Sequence, residues 1–165
     1  MTGPASLGAL LNELGFSDDP ECGGTAERFA AVLAEFAPGR AAPAMTTFPA
    51  PAHDTVILRG LPFHSLCAHH LLPFFGEADI AYVPTERIAG LGAIAHVLRH
   101  FSRQPQLQER LGAQLADYLH AALDAPVGVH LKARQLCMEM RGAESIGTVE
   151  TIAVRGGLDA AMLTR

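Results

Sequence analysis

The segment Ser65-Leu66-Cys67-Ala68-His69-His70 sets one thiol and two imidazoles within four residues, in a chain that contains 3 cysteines. Thiolate sulfur and imidazole nitrogen are good zinc ligands, and Cys67 and His70, three apart in a turn, can point at one ion. A third ligand must come from elsewhere. Cys137, in the stretch Arg134-Gln135-Leu136-Cys137-Met138-Glu139-Met140, is the natural candidate because its neighbours offer few other soft donors. Three protein ligands leave the fourth position to water, the arrangement of catalytic rather than structural zinc. A second reading fits the spacing equally well: Cys67 and Cys137 as buried core thiols and His70 as a hydrogen-bonded core histidine. Cys22, set among Pro20, Glu21, Gly23 and Gly24, reads as an incidental loop residue.

The whole chain bounds what such a site can serve. Its 165 residues, 49% hydrophobic and 18% charged, suit one compact domain with a core of its own. A formal charge of −5 with a pI near 5.9 supplies no basic field for phosphate backbones, so a small molecule is expected rather than nucleic acid. No apolar run approaches the ~18 residues of a membrane span, and the first positive side chain is Arg28, far from the start. A cytoplasmic location is the expectation. An odd number of cysteines at irregular spacing argues for metal or reactive chemistry over a disulfide framework.

The elements that must hold the cluster follow from periodicity. Leu7, Leu10, Leu11 and Leu14 form one helical stripe and Phe29, Val32, Leu33 and Phe36 a second. Pro38, Pro43, Pro49 and Pro51 then mark an extended connector. From Asp54, two strands flank the Cys/His cluster, the second showing alternation at Ala78, Ile80 and Tyr82. Two helices follow, on Leu91, Ile94, Val97, Leu98 and Phe101, then on Leu107, Leu111, Leu115, Leu119 and Leu123, separated at Pro105. Two further strands close the chain, the first carrying Cys137 within "RQLCMEM". The order predicts an α+β fold with an antiparallel sheet. Residues 1–53 form the N-terminal helices and connector, and residues 54–165 the catalytic domain.

Three motifs in this order, "CAHHLLPFFGEADIAYVP", "QLQERL" and "LCMEMRG", resemble GTP cyclohydrolase I, whose usual forms read Cys-Glu-His-His, Gln-Val-Gln-Glu-Arg-Leu and His-x-Cys-x-x-x-Arg-Gly. The likeness covers roughly residues 54 to 157, with a weaker match at "TAERFA". It implies the tunnelling fold, a four-stranded antiparallel sheet with two helices on one face. It also implies Zn2+ held by Cys67, His70 and Cys137, and a ring-shaped homo-oligomer such as a decamer with sites between subunits. Glu109, alone, has the pattern of a solvent-facing glutamate at a helix start. The resemblance makes Gln108 and Glu109 substrate-binding residues, Glu109 accepting two parallel bonds from a ring N–H and an exocyclic amine of guanine. It makes His69 a catalytic residue able to move a proton near neutral pH. Arg28 and Arg141 match family positions and either hold an anionic group or make structural ion pairs; Arg28 would arrive from another subunit.

The departures from the pattern are concentrated. Where family members read Gly-Leu-Ser-Lys with an Arg three residues later, this chain reads "GLGAIAH", so Gly92, Ala93 and His96 stand at the triphosphate contacts. Two permanent charges are gone, and hydrogen bonds to charged groups are worth ~1.5–3 kcal/mol each. Arg99, His100 and Arg103 are the nearby cations that could take their place. Gln135 stands where the family has a proton-shuttling His, and an amide can exchange hydrogen bonds but cannot titrate. Ala68 replaces the usual Glu. The expectation is therefore a zinc-dependent hydrolase of cyclic amidine C–N bonds. It would open the imidazole ring of a guanine-type purine lacking a triphosphate: a free base, an oxidised base such as 8-oxoguanine, a nucleoside or a monophosphate. The alternatives are an authentic GTP cyclohydrolase I and a catalytically silent, zinc-containing purine or pterin binder.

Overall fold

The computed structural model describes residues 6–39 and 41–164, so the outermost ends of the two expected segments, residues 1–5 and 165, lie outside the described residues. The chain divides into two compact units, one ending at Ala37 and one beginning at Pro38. In the first, helices α1 (Leu7–Glu13) and α2 (Thr25–Glu35) are joined by two short 3-10 turns. Ser6 caps α1 by accepting from the Ala9 N–H at 3.2 Å. Both helices form on the predicted stripes, yet neither buries a residue.

The second unit holds strands β1 (Thr47–Pro49), β2 (Val56–Cys67), β3 (Pro73–Tyr82), β4 (Arg87–Ala89), β5 (Pro105–Gln106), β6 (Val127–Gln135) and β7 (Thr148–Arg155). Its helices are α3 (Leu91–Ser102), α4 (Gln108–Leu123) and the single turn α5 (Leu136–Glu139). The four long strands are antiparallel in the order β2-β3-β6-β7. Their register lines up rows of side chains, among them Leu58, Ile80, Val129 and Ala153, and Leu61, Ala78, Leu131 and Thr151. Helix α3 packs on β2, α4 on β6 and β7, and the two helices pack on each other. The leucines four apart in α4, Leu111, Leu115, Leu119 and Leu123, are all buried against the sheet, as their spacing predicted.

Two small pairings were not legible in advance. β5 adds to β2 in parallel at Leu66↔Pro105 and Cys67↔Gln106, and β1 pairs with β4, which ties the proline-rich connector into the second unit. Both strands contain proline and span two or three residues, too short for alternation to register. The expectation that Cys137 lies on a strand is corrected. The β3–β6 ladder ends at Phe74↔Gln135, and the chain turns there into α5, closed by Met140 N–H to Leu136 O at 3.1 Å.

One glycine is imposed by packing. At Gly76 a β-carbon would stand 2.0 Å from the carbonyl oxygen of Lys132, inside the backbone of the neighbouring strand, so no side chain fits where β3 crosses β6.

Candidate active site

The Cys/His turn is built by backbone bonds. The Cys67 N–H donates to Leu72 O at 2.8 Å, the Leu71 N–H returns to Cys67 O at 2.8 Å, and Leu71 adopts φ 54 to close the loop. The Ala68 N–H donates to Gln106 O at 2.9 Å, so β5 clamps the turn from the side. Gln106 is itself held by Gln114 at 2.7 Å and by Arg110, which donates to its oxygen at 2.7 Å. A second brace acts on Cys137: the Arg134 guanidinium grips both carboxylate oxygens of Glu139, at 2.9 and 2.5 Å, across the residues on either side of the cysteine. Sequence reasoning did not single out Gln106, Arg134 or Glu139. An Arg and a Glu five apart with a candidate ligand between them was the available signal for the last two.

These braces bring Cys67, His70 and Cys137 together, with their ligand atoms all within 4.8 Å of one another. Cys67 is buried, while Cys137 is half-buried and His70 exposed. His70 Nδ1 lies 3.9 Å from Cys67 Sγ. Tetrahedral zinc with ordinary bond lengths separates its donors by roughly 3.5–3.8 Å, so side-chain adjustments of up to about an ångström complete the set. Burial first, and the adjacent Cys67 second, push the Cys137 thiol above its ordinary value. A divalent cation reverses that trend by stabilising both thiolates, and two sulfurs with one imidazole form a donor set matched to zinc. Among the described residues this is the one grouping of three such side chains.

Beside the trio opens a cavity of about 260 Å³, lined by Cys67, His69, Glu109, Gln135, Cys137 and Val149 among others. Glu109 enters it from the first turn of α4, the end of a helix where a carboxylate is favoured. Gln108, next to it, is buried and already occupied. Its amide nitrogen donates to Leu131 O at 3.1 Å and Val149 O at 2.9 Å, and its oxygen accepts from Gln135 Nε2 at 2.7 Å. Gln108 thus lines the cavity with its amide already engaged, and it holds Gln135.

The remaining expected site residues divide by location. Arg141 donates to His70 Nε2 at 2.9 Å, which puts it at the mouth of the trio. His96 lies elsewhere: with His64, Arg99 and Arg103 it lines a separate cavity of about 260 Å³ between β2 and α3. Arg28 belongs to the N-terminal unit, where its guanidinium donates to Gly23 O at 2.9 Å and Thr25 Oγ1 at 3.0 Å. One cavity therefore gathers Cys67, His69, Glu109, Gln135 and Cys137, Arg141 contacts His70 of the trio, and His96 lines the other cavity.

The profile of the family "GTP cyclohydrolase I" matches residues 5–165. The GTP cyclohydrolase 1 of Aquifex aeolicus is 45% identical over 106 residues, 63% of this chain and 58% of its own length. That of Corynebacterium glutamicum is 45% identical over 115 residues, 67% of this chain and 59% of its own. The chain thus spans under two thirds of the curated relatives it matches. Among solved structures, the archaeosine synthase QueF-Like in its apo form superposes with a TM-score of 0.53 at 20% identity, over 64% of this chain and 96% of that one. The likeness identifies the sheet and its two long helices as the tunnelling fold. With that fold, the clustered motifs and the matching profile in hand, the chain belongs to the GTP cyclohydrolase I family.

Proposed function

We propose that this protein is a zinc-dependent cyclohydrolase-type enzyme that hydrolytically opens the imidazole ring of a guanine-type purine carrying no triphosphate. The observation that carries this reading is a contrast. Cys67 and Cys137, two of the three clustered metal-ligand candidates, line one pocket with Glu109, while the helix start at Gly90–His96 lacks the Ser, Lys and Arg that a triphosphate would need.

Cys67, His70 and Cys137 would hold the ion, which supplies a Lewis acid and a nucleophile at neutral pH. Glu109 binds the amidine edge by accepting from the ring N–H and the exocyclic amine, fixing the plane of the base. His69, on the wall beside Cys67, moves a proton to or from the opening ring. Gln135 takes no proton in this scheme; it is a hydrogen-bonding wall. Arg141, at the mouth, is placed to meet a small anionic substituent such as one phosphate. The protein acts as a homo-oligomer in the cytoplasm, and light scattering on the full chain should return a multiple of its 17.4 kDa mass.

The test is a substrate panel of guanine, 8-oxoguanine, guanosine, GMP and GTP with zinc-loaded protein, followed by mass spectrometry for gain of one water. Turnover of the small purines with little from GTP supports the reading, and Ala93→Lys with His96→Arg should improve GTP binding while leaving the nucleosides nearly unchanged. Efficient conversion of GTP would establish authentic GTP cyclohydrolase I instead. That second reading is favoured by the cationic lining of the cavity holding His64, His96, Arg99 and Arg103. Purine binding without turnover would mark a silent binder.

A further inference from the structure

The orientation of Gln135 is dictated by groups that have no choice. Leu131 O and Val149 O are backbone carbonyls and can only accept, so the Gln108 group facing them is its amide nitrogen. The Gln108 oxygen must then face Gln135, and it can only accept as well, which turns the Gln135 nitrogen toward it at 2.7 Å. Gln108 is 3% exposed and wedged between α4, β6 and β7, so the chain of bonds is rigid. Gln135 Oε1 is left with no protein partner among the described residues, on a residue that lines the pocket beside Cys137.

Gln135 therefore holds its Oε1 as an acceptor in a fixed orientation on a residue of the pocket wall, with one of its two amide hydrogens committed to Gln108. In the ring-opening reading above, a guanine held at its amidine edge by Glu109 would turn its imidazole edge toward the metal trio, and Gln135, two residues before Cys137, lines the same cavity. In an ordinary guanine nucleoside, N7 is a bare lone pair. In an 8-oxopurine, N7 carries a hydrogen. Resting on the ring-opening reading above, we infer that Gln135, locked by Gln108, selects purines with an N–H on the imidazole edge, which makes 8-oxoguanine-type ligands the favoured class and N9-substituted guanine a disfavoured one. Gln135 is the specificity-determining residue and Gln108 the residue that positions it. A His at this position would differ in kind, since an imidazole can offer an N–H to a bare N7.

Calorimetry on the zinc-loaded full chain with guanosine and 8-oxoguanosine tests this, because these ligands differ only at C8 and N7. The 8-oxo form should bind roughly tenfold tighter or more, the cost of opposing two acceptors in a desolvated site. Gln135→His should close most of that gap by strengthening guanosine. Gln108→Met, which frees the Gln135 amide to turn over, should narrow it too. If the Gln108 variant fails to fold because Leu131 O and Val149 O lose their donor, the Gln135 variant carries the test. Equal affinities in the unmodified protein, both reduced by Glu109→Ala, would overturn the inference and leave the ring-opening reading standing. A preference that persists undiminished in Gln135→His would also overturn it, since the extra oxygen at C8 would then be its source. Binding of neither nucleoside, nor of guanine, would overturn both.

Discussion

Cys67 and Cys137 differ in how firmly the fold holds them. Cys67 ends a paired strand and is clamped by β5, whereas Cys137 depends on a single helical turn and the Arg134–Glu139 pair. Zinc content near one ion per chain is expected in protein purified without chelator, and Cys67→Ala or Cys137→Ala should each empty the site, since two remaining ligands bind zinc far more weakly. Elemental analysis that found zinc unchanged in both variants would show the ligand set to be wrong. Residue types and the Cys67–His70 spacing of three made this trio a candidate, and the family resemblance chose it over a pair of core thiols. It could not expose the fate of Gln108. Whether an amide reaches into a pocket or backs onto a carbonyl depends on the register of β6 and β7 beneath it, which no spacing along the helix records.

At the level of the element, α5 shows what pattern reading misses. Leu136, Met138 and Met140 alternate with Cys137 and Glu139 as a strand would, yet the chain leaves the sheet there, where the ladder with β3 ends at Phe74↔Gln135. The turn is kept in place by Glu139, whose carboxyl is drawn below its usual range, chiefly by the hydrogen bond from Arg134. A folded-state value lowered in this way stabilises the native protein above the unfolded carboxylate range, and the contribution disappears as pH falls through the lowered value. Glu139→Gln should therefore melt earlier than the unmodified protein near neutrality, and the two melting curves should converge in acid. A constant gap at every pH would assign the effect to packing instead. Helix α4 offers a gain rather than a loss. A β-carbon on buried Gly112 would meet Leu131 Cδ1 at 3.6 Å and Ala153 Cβ at 3.8 Å, ordinary contact distances. Gly112→Ala should stabilise the fold by ~0.5–1 kcal/mol through the backbone alone, read as a raised denaturation midpoint with unchanged slope.

Across the whole molecule, the broad order of helices and strands was legible because both periods are strong: leucines four apart on α4 and alternation along β3. The ladder connecting the halves was not, since antiparallel partners meet across a helical insertion. That ladder also sets a clock. Cys67 and His70 lie at the β2–β3 hairpin, whose contacts are local, while Cys137 reaches them only after Val127–Gln135 has paired with β3, with α3 and α4 in between. Closing so long a loop costs chain entropy before its contacts repay it, so this pairing falls late in folding. Zinc uptake then dates the completion of the sheet. In stopped-flow refolding with a zinc-sensitive dye, metal capture should lag the first far-ultraviolet signal and share the rate of tertiary structure formation, and capture at full affinity within the dead time would show that the trio assembles without the sheet. A nascent chain at the ribosome faces the same order of events: until β6 has emerged and docked, Cys67 and His70 are loosely held zinc donors, and they are open to any competing metal or oxidant.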